Sequence, residues 1–197
     1  ISAILAFVGV SIGVMVLILS MAIMNGTAKE FERKLFTMNY PLTIYPKMDN
    51  SLNEELLTKL QKEYPDLKFS PFISSQAIIQ SGDAMSGGMI FGVIPQKEAL
   101  INPIYKEALG DLQPDKYDII TGSGITDKLL LNDGAKATLY FTELNPTGFS
   151  MMPKMKRFTY VNSFTSGLNA YDKAYMYTSI EALQTLLKKY IFISFII

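Results

Sequence analysis

The stretch from Ile1 to Met24 contains no charged side chain. It consists of Ile, Leu, Val, Met, Phe and Ala with scattered Gly and Ser. About 20 helical residues cross a hydrocarbon core of roughly 30 Å, and this stretch is long enough. A helix in the core of a soluble domain needs a polar outer face, which is missing here. The sequence therefore predicts a transmembrane helix over residues 1–26.

A cleaved signal peptide is the alternative for this stretch. Its apolar core would be about 7–15 residues long and would end at a small-x-small cleavage site. The present stretch is longer and runs into Met24-Asn25-Gly26, which is a poor site for cleavage. Because the chain starts at Ile1 and not at Met, we expect a cytoplasmic N-terminal piece to be missing.

Two features of this N-terminal region bear on its neighbours. Gly9 and Gly13 have the G-x-x-x-G spacing that lets another membrane helix approach closely, although Gly is also simply common in such helices. Residues 27–40 place Phe31 and Leu35 four positions apart among charged residues, which is typical of an amphipathic helical stalk. The charges of this segment nearly cancel, so the positive-inside rule does not fix the orientation.

Composition excludes several classes of function. Lys and Arg number 18 and so do Asp and Glu, which gives no indication of nucleic acid as a partner. His and Cys are both absent, so there is no Ser-His-Asp triad, no His-based zinc site and no disulfide framework. Gly122-Ser123-Gly124 lacks the Lys and the spacing of a phosphate-binding loop and predicts a Gly-rich entry to a helix. We expect no catalysis, no metal site and no cofactor.

Residues 41–189 intermix short alternating segments with amphipathic ones, which predicts an α+β domain. Strands are predicted at 42–45, 67–73, 76–80, 89–94, 117–120, 135–141, 157–164 and 174–177. Helices are predicted after the capping patterns Ser51-x-x-Glu54 and Thr178-x-x-Glu181, in part of 96–109, and from Gly122 onward. The apolar tail 190–197 is too short to span a bilayer. It is either a core strand or the start of a truncated or aberrant segment.

The segment from Thr142 to Lys156 has neither helical nor strand periodicity and is long for a connection between two strands. Phe and Met are adaptable contact residues, and Pro reduces the entropy that a loop loses on docking. The sequence favours protein docking by this loop as strongly as the alternative, in which the side chains fold back onto the domain. The residues of the docking hypothesis are Asn145, Pro146, Phe149, Met151, Met152 and Pro153.

Four stretches carry a resemblance to a known family: Met24-Asn25-Gly26, Phe91-Gly92-Val93-Ile94-Pro95, the segment 119–139, and 164–172. In their order and spacing they resemble the lipoprotein-releasing permeases, the LolC/LolE proteins, which are ABC-transporter membrane subunits related to the MacB type. The stretch 164–172, FTSGLNAYD, is the most specific. Ala170 stands there in place of the family's usual acid. The resemblance extends to about Lys189.

The resemblance implies an inner-membrane protein of Gram-negative bacteria whose subunits each have four membrane helices. A large periplasmic α+β domain of the MacB type lies between the first and second helices. Two such subunits pair with two cytoplasmic ABC ATPase subunits and pass lipoproteins to a periplasmic chaperone, LolA. A hook between strands matching 135–141 and 157–164 recruits that chaperone. The chain spans the membrane once and stops within the domain, so we expect a truncated or frameshifted product.

In this interpretation the partners are a cytoplasmic ATPase, a second permease subunit, a LolA-like chaperone, lipoprotein substrates and membrane lipid. By their position in the first helix, Val14, Met15, Ile18 and Met21 are candidates for contact with acyl chains. A MacB-like efflux permease or an FtsX-like signalling permease is the alternative within the family. A membrane-anchored sensor or adhesin domain without a transport role is the alternative from another class, and an enzyme comes last.

Overall fold

The computed structural model describes residues 2–40, 42–44, 54–141, 154–187 and 192–196. By its internal contacts the chain divides into two units, Ile1–Phe36 and Thr37–Ile197. The helices are α1 (Ser2–Met38), α2 (Glu54–Glu63), α3 (Pro95–Ile101), α4 (Pro103–Leu109), α5 (Ser123–Leu129), α6 (Asn169–Asp172) and α7 (Ile180–Leu187). The strands are β1 (Leu42–Ile44), β2 (Lys68–Ser81), β3 (Ala84–Val93), β4 (Asp118–Gly122), β5 (Lys136–Phe141), β6 (Lys154–Phe164), β7 (Tyr175–Ser179) and β8 (Phe192–Ile196).

The first unit is the greater part of α1, which runs without interruption from the apolar stretch through the predicted stalk. At the transition between the two, the hydroxyl of Thr27 donates to the carbonyl of Ile23 at 2.9 Å and so remains satisfied within the helix. In the stalk, Arg33 donates to both carboxylate oxygens of Glu30 one turn earlier, at 2.8 and 3.1 Å. Exposed pairs of this kind contribute little to stability, because solvent screens both charges.

The second unit is built around a ring of six strands. Strand β2 pairs with β3 along residues 72–81 and with β5 along residues 77–80. The ring continues from β3 through β7, β4 and β6 back to β5, with parallel pairs at β3–β7 and β4–β6. On the other side of β2, residues 68–72 pair with β8, which in turn pairs with β1. Residues 192–196 of the apolar tail are therefore part of this sheet.

The two faces of the sheet carry different buried clusters, because successive residues of a strand point to opposite faces. One face combines mainly aliphatic side chains of the strands with those of α5 and α7. The other face is rich in aromatic side chains and packs against α4 and the end of α1. Three strands show the alternation directly, with Ile90/Phe91, Ile119/Ile120 and Met176/Tyr177 divided between the two clusters.

Three local predictions are wrong in detail. The predicted strands 67–73 and 76–80 are one strand, β2, because Ser74 and Ser75 continue the pairing opposite Phe91 and Ile90. Strand β3 begins at Ala84 and includes Gly88, which was predicted to precede it. A Cβ at Gly88 would collide with the carbonyl of Ala174, so the glycine marks a close approach of two backbones.

The third correction concerns the start of α7. The helix is capped by Ser179, whose hydroxyl accepts a hydrogen bond from the Ala182 amide at 3.1 Å. The predicted cap, Thr178, is instead the penultimate residue of β7 and donates to the carbonyl of Asp118 at 2.7 Å. The strand extends further than its alternation indicated, which moves the helix start by one residue.

Candidate functional site

Helix α1 is the one helix among the described residues that is long and apolar enough to cross a membrane. Its large apolar side chains are exposed around the whole circumference, as Phe7 at 74% and Val14 at 49% illustrate. Exposed apolar surface of this extent is not stable in water. The helix therefore requires lipid or other apolar helices around it.

The sequence-predicted residues of α1 lie on two sides of the helix. Gly9 and Gly13 share one side, and a Cβ at either position would have no neighbour within 4 Å. At 3.6 residues per turn, the positions 14, 15, 18 and 21 are on roughly the opposite side. All four of their side chains are exposed. One side of the helix is thus suited to close helix packing and the other to contact with an apolar chain, and both assignments remain predictions.

The predicted docking residues Asn145, Pro146, Phe149, Met151, Met152 and Pro153 lie outside the described residues. The structure does describe the hairpin from which this segment departs. Phe141 of β5 and Lys154 of β6 are its last paired residues, so residues 154–156, which were predicted to belong to the aperiodic segment, are part of β6. The ammonium of Lys154 donates to the carbonyl of Leu186 near the end of α7 at 2.9 Å, and Phe141 is fully buried. The two ends of the segment are therefore fixed by a strand pair that is anchored in the core.

Sequence analysis missed the outward face of this hairpin. Tyr140 pairs with Met155, which is 66% exposed, and on its other side Tyr140 pairs with Ile78 of β2. Arg157, two residues beyond Met155 on the same face of β6, is exposed. Alternation in residues 135–141 and 157–164 was the available signal, since it leaves every second side chain outside. The base of the segment thus presents an aromatic, a thioether and a cationic side chain together.

A second feature that the sequence did not reveal lies at the end of α1. Tyr40 donates to the carboxylate of Glu98 at 2.6 Å, and Ser70 donates to the same carboxylate at 2.9 Å. The amide of Asn102 is 3.3 Å from Glu98 and 3.2 Å from the hydroxyl of Tyr177. These side chains come from the residues after α1, from β2, from α3, from the α3–α4 junction and from β7.

Burial shifts the pKa values of Glu98 and Tyr40 in this cluster. Glu98 is fully buried, and the loss of solvent raises the pKa of its carboxyl, although the hydrogen bonds from Tyr40, Ser70 and Asn102 oppose this shift. Burial, together with the nearby Glu98, also raises the pKa of Tyr40 well above its ordinary value. No buried side-chain N or O atom of the described residues is without a partner, so the network is fully satisfied.

The glycine motif and the most specific stretch of the resemblance meet in one place. Gly122 precedes α5, as predicted, and a Cβ there would collide with the carbonyl of Asp172. The carboxylate of Asp172 accepts hydrogen bonds from the amides of Ser166 and Gly167 at 2.7 and 3.1 Å. This arrangement closes a turn and packs it against α5, which gives both motifs a structural reason.

The described residues contain no group of three His, Cys, Asp or Glu side chains that could hold a metal ion. Among the described residues the polar side chains of the network around Glu98 bond to one another. The described parts are an apolar helix, a domain in which Met38 at the end of that helix is buried, and a strand hairpin whose last pair is Phe141 and Lys154.

No protein-family model matches the chain. In fold, the chain is similar to the extracellular domain of YknZ, a noncanonic ABC-type transporter from Gram-positive bacteria. The TM-score is 0.51 with 13% identity, over 77% of this chain and 80% of that one. The predicted class, an α+β domain behind one N-terminal apolar helix, is confirmed, and its fold is that of this transporter domain.

In sequence, the chain is similar to the lipoprotein-releasing system transmembrane protein LolC. Over 184 residues it is 27% identical to LolC of Neisseria meningitidis serogroup B, which covers 90% of this chain and 44% of that protein. Over 188 residues it is 25% identical to LolC of Xylella fastidiosa, which covers 93% of this chain and 45% of that protein. The predicted resemblance to the LolC/LolE proteins is confirmed, and the chain spans a little under half the length of these relatives.

Proposed function

We propose that this chain forms the first membrane helix and most of the periplasmic domain of an ABC-transporter permease. The permease would release lipoproteins from the inner membrane to a periplasmic chaperone. The observation that carries the proposal is the alignment with LolC over 90% or more of the chain. Since α1 occupies residues 2–38, an alignment of this extent includes most of the helix and of the domain. The apolar surface of α1 supports the membrane assignment.

In this proposal the work is mechanical. ATP hydrolysis takes place in a separate cytoplasmic subunit, and a second permease subunit completes the path through the membrane. The side of α1 with Gly9 and Gly13 packs against a neighbouring helix. The opposite side, with Val14, Ile18 and Met21, contacts acyl chains of the lipoprotein or of the bilayer. The domain follows the movement of the helix and presents its loop to the chaperone.

The hairpin supports a docking role for residues 142–153. A binding loop is most effective when its ends are held by a rigid scaffold, because less entropy is then lost on binding. Here the ends are the paired residues Phe141 and Lys154. Tyr140, Met155 and Arg157 at the base extend the surface with residue types that are enriched at protein interfaces.

The docking role is tested with the full-length permease and a purified LolA-like chaperone. We expect Phe149→Asp and Met152→Asp each to weaken chaperone binding by about tenfold or more, since a charge replaces an apolar contact. Leu130→Asp is the matched control. Leu130 is 82% exposed and has a left-handed backbone with φ of 50°, which Asp adopts readily. Binding would be measured by pull-down and by titration.

Unchanged binding of both loop variants contradicts the docking assignment. The transport role has its own readout, which is ATP-dependent release of a lipoprotein from proteoliposomes that contain the permease and its ATPase. Export of small molecules without lipoprotein release would favour the MacB-like alternative. Absence of a co-purifying ATPase would favour a membrane-anchored sensor or binding domain.

A further inference from the structure

The end of α1 is embedded in the domain by three consecutive residues that use three different contacts. Met38 is 2% exposed and lies in the aromatic cluster of the sheet. The side-chain amide of Asn39 donates to the hydroxyl of Tyr171. The hydroxyl of Tyr40 donates to Glu98 at 2.6 Å, and its ring packs on Phe72 with centroids 5.5 Å apart. A displacement of the helix end is therefore transmitted to the domain through the contacts of these three side chains.

Glu98 is the unusual member of this set. Its carboxylate is fully buried, and the described residues place no Lys or Arg in an ion pair with it. Burial of an unpaired carboxylate is costly, and hydrogen bonds must offset that cost. A Gln could accept from Tyr40 and Asn102 through its one oxygen, but its NH2 group would stand opposite the Ser70 hydroxyl and could not accept from it. The carboxylate accepts all three hydrogen bonds, and bonds to an ionised acceptor are stronger than neutral ones.

The Glu98 carboxylate is linked, directly or through Asn102, to several elements of the domain. Ser70 belongs to β2, which is the strand shared by the ring and by β8. Asn102 joins Glu98 to Tyr177 of β7, and its side-chain oxygen accepts from the Tyr105 amide at the start of α4. A pull on Tyr40 therefore acts first on the Glu98 carboxylate, which belongs to α3 and is linked to two strands and to the start of α4.

Hydrogen bonds and apolar packing respond differently to such a pull. Apolar side chains slide past one another with a gradual loss of contact, whereas a hydrogen bond weakens steeply with distance and angle. We propose that Glu98 is the anchor through which displacement of α1 enters the domain, with Tyr40 as the positioning residue that joins the helix end to it. This assignment of the anchor concerns the chain alone, and its role in transport rests on the proposed function.

The anchor is tested by force spectroscopy on the full-length protein in lipid nanodiscs. The chain contains no cysteine, so Ala28→Cys on α1 and Asp83→Cys at the β2–β3 turn supply attachment points within it. Tyr40→Phe retains the ring contact with Phe72 and removes only the hydroxyl. We expect detachment of residues 37–40 from the domain, at constant force, to become about tenfold faster, as the loss of a hydrogen bond to a carboxylate predicts.

Ser70→Ala is the matched control, because it removes another hydrogen bond to the same carboxylate from a residue outside the helix end. The anchor predicts that Ser70→Ala lowers the thermal stability of the domain as Tyr40→Phe does, but leaves the detachment rate within about threefold of the parent. Equal acceleration by both variants, or no acceleration by Tyr40→Phe, overturns the anchor. Both variants are expected to fold, since neither creates a large cavity.

A second measurement separates the anchor from the proposed function. In the permease assembled with its ATPase, Tyr40→Phe is expected to release fewer lipoproteins per ATP hydrolysed than Ser70→Ala, with an unchanged rate of hydrolysis. If the parent releases no lipoprotein, the proposed function fails while the force measurement still decides the anchor. If detachment accelerates but the yield per ATP is equal in both variants, the anchor does not lie on the path of transport.

Discussion

The two faces of the sheet are made by the same strands but are held together by different means. The face towards α5 and α7 is filled largely by Ile and Leu with Phe141 and Phe158. The face towards α4 carries a series of aromatic rings. The ring centroid of Tyr177 lies 5.6 Å from that of Phe91 and 5.0 Å from that of Tyr105. Glu98 and Asn102 lie beside these rings.

This difference shows that one face of the sheet can provide most of the stability while the other face fixes the positions of its side chains. Close packing of aliphatic side chains contributes most to the free energy of unfolding and tolerates small shifts. A satisfied polar network contributes less to stability but allows few alternative arrangements. The polar face is the one that contacts Met38 at the end of α1 and Tyr40 two residues after it. The part of the domain that meets the helix end is thus the part whose geometry is most narrowly defined.

The largest expected effect of a substitution is on the aliphatic face. Phe158 is 1% exposed, and Phe158→Ala removes a ring from a closely packed cluster. We expect a loss of about 3–5 kcal/mol in the free energy of unfolding, measured by denaturant titration. The control is Met155→Ala in the same strand, where 66% exposure predicts a change within about 0.5 kcal/mol. Similar losses in the two variants would mean that the face is not packed as described.

The polar face is tested by Glu98→Ala. The substitution leaves Tyr40, Ser70 and Asn102 without their common acceptor and opens a cavity, while it also removes the cost of burying a carboxylate. We expect a net loss of about 2 kcal/mol, smaller than that for Phe158→Ala. Glu98→Gln keeps an acceptor and the volume and should lose less. A loss for Glu98→Ala larger than for Phe158→Ala would reverse the ranking of the two faces.

Local patterns in the sequence predict much of the fold. Alternation locates β5, β6 and β7 to within a few residues, and the charge-free N-terminal stretch locates α1. The pattern fails where pairing partners decide the outcome. The pattern predicts a break between two strands at Ser75. The structure instead has Ser75 within β2 and 2% exposed, because Ile90 of β3 continues the pairing opposite it. The glycine at 88 is fixed by Ala174, a residue far away in the chain.

The polar network was beyond the reach of sequence reasoning for the same reason. Glu98 occurs in the first turn of α3 after Pro95, where an acid usually faces solvent and favours the helix dipole. Its burial depends on Tyr40, 58 positions earlier, and on Ser70, 28 positions earlier. No spacing in the sequence joins three such residues. The apolar helix and the glycine turn could be predicted because their causes are local, whereas the anchor is a product of the tertiary fold.

The smallest expected effect is the contribution of Glu98 to the pH dependence of stability. Because burial raises the folded-state pKa of this carboxyl, the folded protein binds the proton more tightly than the unfolded chain does. Its contribution is therefore fully present below the unfolded-state pKa, near 4.5, and is lost as the pH rises through the folded-state pKa. For one proton the slope is at most about 1.4 kcal/mol per pH unit. Denaturant titrations of the parent and of Glu98→Gln from pH 4 upward should differ by a curve that falls with pH for the parent. A difference that is flat, or that rises with pH, would show that the hydrogen bonds of Tyr40, Ser70 and Asn102 outweigh burial, and the polar face would then stabilise the charged acid.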